Sequence, residues 1–339
     1  MARMEFGIFL DLESETMTVD QHLARYIPLL QDAERGGFTS VWAGETYAGP
    51  AGSFQHISSP MLVLAALSQV TGLALGTGVT LLPVWDPSRL AYDTTIMDHI
   101  ARGRFSVGVG LGNPATWRQF GLDRETLGQR MDEMIRALRA LWAGEPGFHG
   151  EFVHAEGPIG PRPLQPGGPP IWVGGKLKRS ARRAAELGDG LIAGTHFGWE
   201  HVRSLIAEYR ATLATLGKDP AAGPISVNRL LILAEDPDTA WREGGPWLDR
   251  LMRKYATAKL IPNAEAYLAT TPGDLDALRA ASAGVCLVGS PETVLPELET
   301  IAAEGVSQVQ VRPVPYGLPT ELAARTLELA ARDVLPRFA

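Results

Sequence analysis

The sequence predicts an α/β protein with the fold of a (β/α)8 TIM barrel, and three observations lead to this prediction. Short apolar runs rich in β-branched residues alternate with amphipathic stretches along the 339 residues, which is typical of parallel βα units. Eight such runs occur, each followed by a helical stretch. The first predicted βα turn, LDLES at residues 10–14, has no glycine fingerprint, and this argues against an open doubly wound sheet.

The predicted strands are short and bounded by turn-forming residues. They are residues 4–10, 40–43, 73–82, 105–109, 171–173, 190–193, 226–234 and 308–311.

The helices are predicted from their start signals and from apolar residues at helical spacing. Thr18 with Gln21 forms a capping-box pattern, and Gly36 and Gly37 close the same helix. Asp86 comes directly before Pro87, a cap followed by proline at the first helical position. The predicted helices begin near residues 19, 60 and 87, and then cover 127–143, 178–187, 200–216, 239–255, 291–303 and 321–333.

Two irregular stretches are predicted as insertions in the barrel. Residues 144–170, after the fourth helix, are rich in glycine and proline and predict a hairpin with an extended loop. Residues 256–284 lie within the last crossover. Because no low-complexity linker interrupts the alternation, we expect residues 1–339 to form a single domain.

Composition restricts the class of protein. The net charge of −7 and the absence of a basic block argue against nucleic-acid binding, and no apolar run reaches the ~20 residues that span a bilayer. The first residues lack a secretory pattern, and a single cysteine, Cys286, excludes an internal disulfide. We therefore expect a cytoplasmic protein in which Cys286 is a buried apolar residue.

Metal chemistry is disfavoured by the histidine spacing. The seven histidines show no His-x-His at the first strand and no Glu-x-x-His pattern, so a metal-dependent hydrolase barrel is not expected and no metal site is predicted.

Chemistry in a barrel of this kind is expected on the loops that follow the strands. Glycines at the end of the fourth strand, Gly108 to Gly112, would let a flat ligand approach the backbone, although a tight turn explains them equally well. Gly174, Gly175, Lys176 and Ser180 place glycines, a cation and a hydroxyl at a helix start. This arrangement suits a phosphate, and a plain capped loop is the alternative.

Several segments, taken together, resemble the luciferase-like flavin-dependent oxidoreductases. The segments are GFTSVWAGE (37–45), LGTGVTLLP (75–83), ARGRFSVGVGLG (101–112), FGL (120–122), PPIWVGG (169–175), AAELGDG (184–190), GSPE (289–292) and GVSQVQV (305–311). They follow one another in the family's order along nearly the whole chain.

The resemblance implies a flavin site at the strand ends, for FMN or for the deazaflavin F420. It places the phosphate near Gly174, Gly175, Ser180, Gly194 and Thr195. It also implies a non-prolyl cis peptide in strand three, which we expect at Gly78–Val79. The full set of predicted cofactor-binding residues is Gly78, Val79, Thr80, Gly110, Gly112, Asn113, Gly174, Gly175, Lys176, Ser180, Gly194 and Thr195.

The catalytic prediction is complicated by one departure from the family pattern. Glu45 and His196 are the candidates for acid–base or orienting roles. Relatives place a histidine directly after the strand-two acid, whereas Thr46 stands there, and a threonine hydroxyl is no base near neutral pH. The luciferase arginine of the strand-four loop is also absent, so Lys176, Arg179 or helix termini would meet the phosphate charge.

The resemblance implies a two-component monooxygenase that takes reduced FMN from a separate flavin reductase and oxidises a small organic substrate with O2. F420-dependent hydride transfer is the alternative, since residues 42–46, WAGET, resemble that branch. A non-catalytic flavin-binding barrel is a third hypothesis. A homodimer is expected through the helices beside strands two and three, where residues 61–67 offer an apolar face.

Overall fold

The computed structural model describes residues 3–14, 17–47, 55–56, 58–194, 196–314 and 317–339. The chain divides into two compact units. The first unit comprises Met1–Val41, Ala193–Ala207 and Pro224–Ala339, and the second comprises Trp42–Ile192 and Glu208–Gly223.

The parallel strands alternate with helices as predicted, and the (β/α)8 barrel is confirmed. The strands are β1 (Glu5–Leu10), β2 (Ser40–Ala43), β3 (Ala74–Thr77), β4 (Phe105–Gly110), β5 (Ile171–Gly174), β6 (Gly190–Ala193), β7 (Ile225–Leu233) and β8 (Gln308–Arg312). Further strand segments are Glu13–Ser14, Gln55–His56, Thr80–Leu81, Gly147–His149, His154–Glu156 and Cys286–Gly289. The extent of the single domain stays a prediction.

The helices follow the predicted starts closely. They are α1 (Val19–Arg35), α2 (Pro60–Leu67), α3 (Pro87–Ile100), α4 (Pro114–Gln119), α5 (Leu127–Ala143), α6 (Lys178–Leu187), α7 (Trp199–Thr215), α8 (Pro237–Thr257), α9 (Ala264–Leu268), α10 (Leu275–Ser282), α11 (Pro291–Ala303) and α12 (Thr320–Leu329). As predicted, the Asp86 side chain caps α3 by accepting a hydrogen bond from the Arg89 N–H at 2.9 Å.

In the first unit, β8 pairs with β1 and with β7, all parallel. Side chains on β8 alternate because successive residues of a strand point to opposite faces. Gln308, Gln310 and Arg312 are buried polar residues, and the valines between them are buried too. Gln308 accepts a hydrogen bond from the Ser226 hydroxyl at 2.9 Å. One face of β8 therefore carries a buried column of polar side chains that ends at Arg312.

In the second unit, β4 pairs with β3 and β5, and β5 pairs with β6. Two indoles fill the space over these strands, with the Trp42 and Trp172 rings edge to face at 5.9 Å. A Cβ on Gly76 would overlap the Trp42 ring, and one on Gly190 would come within 2.5 Å of Trp172. The small residues are therefore required by the packing of the two tryptophans.

Four differences from the predicted elements have local causes. The third strand breaks between Thr77 and Thr80, where the chain turns at Gly78–Val79. Helix α4 was missed because it is short, and Cys286–Gly289 forms a strand beside β7 that the alternation did not require. The last crossover, expected to be irregular throughout, contains α9 and α10. Cys286 is buried as predicted, and burial raises the pKa of its thiol to about 12.

The insertion after α5 is the predicted hairpin, and a carboxylate from α5 holds its turn. Glu133 accepts hydrogen bonds from the backbone N–H groups of Glu151, Phe152 and Val153 at 3.0, 2.8 and 2.9 Å. Burial would raise the pKa of Glu133, but the three N–H donors outweigh burial and hold its pKa below the usual value.

We expect Glu133→Gln to lower the free energy of unfolding by about 1 kcal/mol, because an amide accepts these bonds less strongly than a carboxylate. A lowered carboxyl pKa stabilises the fold above the unfolded-state pKa, and this stability is lost as the pH falls through the folded pKa. Thermal melts at pH 7 and pH 4 should therefore show a gap between wild type and variant that narrows at pH 4. An equal gap at both pH values would contradict this assignment.

Within the described residues, no helix combines the length and apolarity needed to cross a membrane.

Candidate active site

The carboxyl end of β3 carries the feature expected of a flavin-binding barrel. The Gly78–Val79 peptide is cis, as predicted. The Gly78 N–H donates to the Ala43 carbonyl at 2.8 Å, and the Glu45 N–H donates to the Val79 carbonyl at 3.0 Å. The end of β2 is thus fastened to the turn after β3 by two backbone hydrogen bonds.

Glu45, the first predicted catalytic residue, is 4% exposed and surrounded by hydrogen-bond donors. Its carboxylate accepts from the Leu81 N–H at 2.6 Å, from the Trp85 indole N–H at 3.1 and 3.2 Å, and from the Tyr47 hydroxyl. Burial raises the pKa of Glu45, whereas the hydrogen bonds from Tyr47, Leu81 and Trp85 lower it. The carboxylate is therefore engaged in holding the chain after β3, and its acid–base role stays a prediction.

The predicted ring-binding residues of the second unit lie around Val79. A Cβ on Gly110 would come within 2.6 Å of a Val79 methyl, and one on Gly174 within 2.9 Å of the other methyl. Thr80, the next residue, is fully buried, and its hydroxyl has no hydrogen-bond partner among the described residues. A buried hydroxyl of this kind is suited to a polar ligand atom. The contact of these residues with a flavin ring stays a prediction, because the space beside both glycines is taken by the Val79 methyl groups.

Gly112 and Asn113 form the turn after β4. Gly112 has φ of +77°, a conformation that glycine adopts without strain. The Asn113 side chain caps α4 by accepting from the Ala115 and Thr116 N–H groups at 2.9 and 3.1 Å. Its oxygen is thus used locally, and its cofactor contact stays a prediction.

The predicted phosphate site in the second unit combines Gly175 with the start of α6. A Cβ on Gly175 would overlap the Ser180 hydroxyl oxygen, so the turn runs directly against that hydroxyl. Ser180 is buried in the first turn of the helix, where backbone N–H groups lack helical acceptors and favour anions. The Ser180 N–H already donates to the Leu177 carbonyl at 2.8 Å, and the phosphate site stays a prediction.

The basic residues of α6 are directed to carboxylates. Arg179 pairs with Asp132 and with Glu186, each at 3.2 Å, and Lys178 pairs with Glu208 at 3.4 Å. The expectation that Arg179 meets the phosphate charge is therefore not supported, because two acidic groups already engage its guanidinium. Lys176 is exposed, and its contact with the cofactor stays a prediction.

Three predicted site residues follow β6 in the first unit, and the structure describes two of them, Gly194 and His196. Thr195 lies outside the described residues. The nearest atom to a Cβ on Gly194 would be His196 Cε1 at 3.6 Å, which is an ordinary contact. His196, the second predicted catalytic residue, is half-buried, and its ring lies 4.3 Å from Phe197 and 5.7 Å from Tyr255.

The first unit also contains a buried polar cluster that sequence reasoning did not assemble. Arg312, at the carboxyl end of β8, donates to Asp11 Oδ2 and to the Tyr255 hydroxyl oxygen, each at 2.7 Å. The Tyr26 hydroxyl donates to the Asp11 carbonyl at 2.9 Å. Asp11 and Arg312 were recognisable as strand-end residues, but Tyr255 comes from the end of α8, and no pattern in the sequence signals it.

The described residues contain no group of three histidine, cysteine or carboxylate side chains placed to hold a metal ion.

Comparison with known proteins finds flavin-dependent monooxygenases similar to this chain. The oxygenase component of the flavin-dependent trigonelline monooxygenase of Acinetobacter baylyi is 27% identical over 99% of this chain and 96% of its own length. The oxygenating constituent of 3,6-diketocamphane monooxygenase from Pseudomonas putida, solved with FMN, superposes with a TM-score of 0.82 at 21% identity, covering 99% of each chain.

A coenzyme F420-dependent tetrahydromethanopterin reductase from Methanopyrus kandleri has a similar fold. It superposes with a TM-score of 0.76 at 18% identity over the full length of both chains. The family model described as "Luciferase-like monooxygenase" matches residues 4–308. The chain therefore belongs to the luciferase-like monooxygenase family and is a flavin-dependent oxidoreductase.

Proposed function

We propose that this chain is the oxygenase component of a two-component monooxygenase, which takes reduced FMN from a separate flavin reductase and oxidises a small organic substrate with O2. The observation that carries the proposal is the similarity, over almost the whole of both chains, to the trigonelline oxygenase component. It is also supported by the Gly175 turn that lies against Ser180 at the start of α6, and by the buried Thr80 hydroxyl, which has no hydrogen-bond partner among the described residues.

Two groups of residues would bind FMN, one at its phosphate and one at its ring. The Ser180 hydroxyl and the N–H groups at the start of α6 would hold the phosphate, with the Gly175 turn lying directly against that hydroxyl. Val79, Thr80 and the glycines of β4 and β5 would contact the ring. Bound reduced flavin supplies the reaction with O2 that delivers one oxygen atom to the substrate, and the protein's task is to exclude water and orient the reactants.

The two predicted catalytic residues would have different tasks. Glu45 would position the chain after β3, since its carboxylate already accepts hydrogen bonds from Leu81, Trp85 and Tyr47. His196 would orient the substrate through its half-buried ring.

The test is anaerobic titration of the purified chain with reduced FMN and, separately, with reduced F420, followed by absorbance and fluorescence. We expect FMN to bind, and we expect the bound reduced flavin to react with O2 at a rate different from that of free flavin. Binding of F420 alone would replace the proposal with F420-dependent hydride transfer. Binding of FMN with no change in its reaction with O2 would favour a non-catalytic flavin-binding barrel.

The chain is further proposed to act in the cytoplasm, as a single domain and as a homodimer. The single, buried cysteine supports a location in the cytoplasm, since disulfide bonds are characteristic of oxidising compartments. Support for a single domain is the family match across residues 4–308.

The proposed dimer surface is apolar and lies on α2 and α3. The predicted face at residues 61–67 needs correction, because Met61, Val63, Leu64 and Leu67 are buried within the chain and Leu62 is 73% exposed. On α3 the exposed apolar residues recur every four positions, which places them on one helical face; they are Tyr92, Ile96 and Ile100.

We expect Ile96→Glu to convert the dimer to a monomer, because a buried unpaired carboxylate costs several kcal/mol at an apolar interface. Light scattering coupled to gel filtration measures the mass directly. Leu216→Glu, a change at an equally exposed leucine after α7, is the control and should leave the mass unchanged. A dimer that persists in Ile96→Glu would remove α3 from the interface.

A further inference from the structure

We propose that Tyr255 binds the carbonyl oxygen of the organic substrate by a hydrogen bond from its hydroxyl, and that Arg312 and Asp11 position it. This inference rests on the proposed function, because it assigns the kind of substrate that the oxygenase would accept. The argument depends on residues of the first unit alone.

The hydrogen bonding of Tyr255 leaves one direction for its hydroxyl proton. The phenol oxygen accepts from Arg312 Nη1 at 2.7 Å, and the other end of the guanidinium is fixed by Asp11 at 2.7 Å. A phenol can accept and donate at once. No residue in the described ranges accepts a hydrogen bond from the Tyr255 hydroxyl, and Tyr255 is 8% exposed. We assign this free donor to the substrate.

The protonation states of Tyr255 and Arg312 keep the Tyr255 hydroxyl a hydrogen-bond donor. Burial raises the pKa of Tyr255 to about 12, although the Arg312 charge acts in the opposite direction. Burial lowers the pKa of Arg312, but Tyr255 and Asp11 outweigh this and raise it above its usual value. At neutral pH the phenol is therefore protonated, and a guanidinium donating to its oxygen makes the O–H a stronger donor.

The charges around Tyr255 favour a neutral acceptor over an anion. Arg312 is paired with Asp11, and Lys254 is paired with Glu13, so the four charges cancel. A substrate carboxylate would lie near the Asp11 and Glu13 carboxylates. The Arg25 cation beside Asp11 also interacts with Glu321, so it does little to offset the desolvation of a substrate carboxylate. A ketone, aldehyde or amide oxygen requires only the donor that Tyr255 offers.

Aromatic rings beside Tyr255 suit a flat substrate body. The His196 ring lies 5.7 Å from the Tyr255 ring and 4.3 Å from Phe197. Such rings pack well against a planar apolar group. Together, the ring faces and the phenol donor predict a small aromatic or cyclic carbonyl compound as the substrate class.

Three probes of similar shape test this assignment, namely benzamide, benzoate and toluene, titrated into the purified chain by ligand-observed NMR. We expect benzamide to bind more tightly than benzoate, and Tyr255→Phe to weaken benzamide about fivefold, the worth of one hydrogen bond. Toluene has no acceptor and should bind both proteins equally. Absence of benzamide binding, tighter binding of benzoate, or unchanged benzamide affinity in Tyr255→Phe would each overturn the proposal.

The positioning pair is tested with the same probes. The double variant Asp11→Asn/Arg312→Met removes both charges and so avoids leaving one of them buried alone. It should weaken benzamide as Tyr255→Phe does and leave toluene unchanged, whereas Arg312→Lys should recover part of the benzamide affinity. Equal losses for toluene and benzamide would assign the pair a structural role only.

Parallel titration of each sample with FMN distinguishes failure of this inference from failure of the proposed function. Loss of the benzamide pattern in a chain that binds FMN overturns this inference alone. Failure of wild type to bind FMN overturns the proposed function.

Discussion

Gly175→Asp is expected to weaken FMN binding, raising the dissociation constant by roughly a hundredfold, which corresponds to about 2.7 kcal/mol. Two effects act together. The new Cβ would lie 2.5 Å from Ser180 Cβ and overlap its hydroxyl oxygen, so the turn must shift. The added carboxylate would also repel a phosphate where the start of α6 attracts one.

Fluorescence titration of FMN measures this loss, and three further variants separate its causes. Gly175→Ala introduces the steric effect without the charge, and Ser180→Ala removes the hydroxyl alone, for an expected loss of about tenfold. Ala222→Asp adds the same charge at an exposed turn of the second unit and should bind FMN as wild type does. Wild-type affinity in both Gly175→Asp and Ser180→Ala would place the phosphate elsewhere.

The regular part of the fold was predictable because its signals are local. A cap such as Asp86 before Pro87 acts within one helical turn, and the apolar spacing of residues 127–143 defines α5 at the bounds that the structure gives. Short elements gave no such signal. Six residues suffice for α4 once Asn113 caps it, and the run of four apolar residues from Val285 to Val288 is equally typical of a loop and of a strand.

The candidate site was predictable only where residues act through the backbone. Gly175 and Ser180 are five positions apart, and the helix start itself indicates an anion site. Two of the three partners of Glu45, Leu81 and Trp85, are 36 and 40 positions away, so only the folded chain brings them to the carboxylate. The same holds for Arg312, which meets Asp11 across 301 positions. Tertiary contacts also explain why the expected role of Arg179 at the phosphate is not supported. Its guanidinium pairs with the carboxylates of Asp132 and Glu186 instead.

Substitution of Glu45 distinguishes a positioning role from the acid–base role that the sequence suggests. We expect Glu45→Ala to lower the free energy of unfolding by about 3 kcal/mol, because it leaves the buried Leu81 N–H and the Trp85 indole N–H without an acceptor. The variant should also weaken FMN binding, since the residues after β3 lose the carboxylate to which Leu81 and Trp85 donate hydrogen bonds. Urea unfolding and FMN titration measure the two effects.

Glu45→Gln is the variant that decides between the roles. A glutamine can direct its oxygen to Leu81 and Trp85, and the Tyr47 hydroxyl can rotate to accept from the amide. We therefore expect Glu45→Gln to keep most of the stability, the FMN affinity and the rate at which bound reduced flavin reacts with O2. Glu156→Ala, at an exposed carboxylate of the same unit, should change none of them.

The opposite result would assign Glu45 to the chemistry. A Glu45→Gln protein that unfolds at the same urea concentration and binds FMN normally, yet loses activity by about a hundredfold or more, fits loss of an acid–base group. A buried carboxyl with a raised pKa is a reasonable proton donor, which is why the comparison is needed. We expect the positioning outcome, because both oxygens of this carboxylate already accept hydrogen bonds. One accepts from Tyr47 and Trp85, and the other from Leu81 and Trp85. These bonds connect the end of β2 to Tyr47 and to the chain after β3.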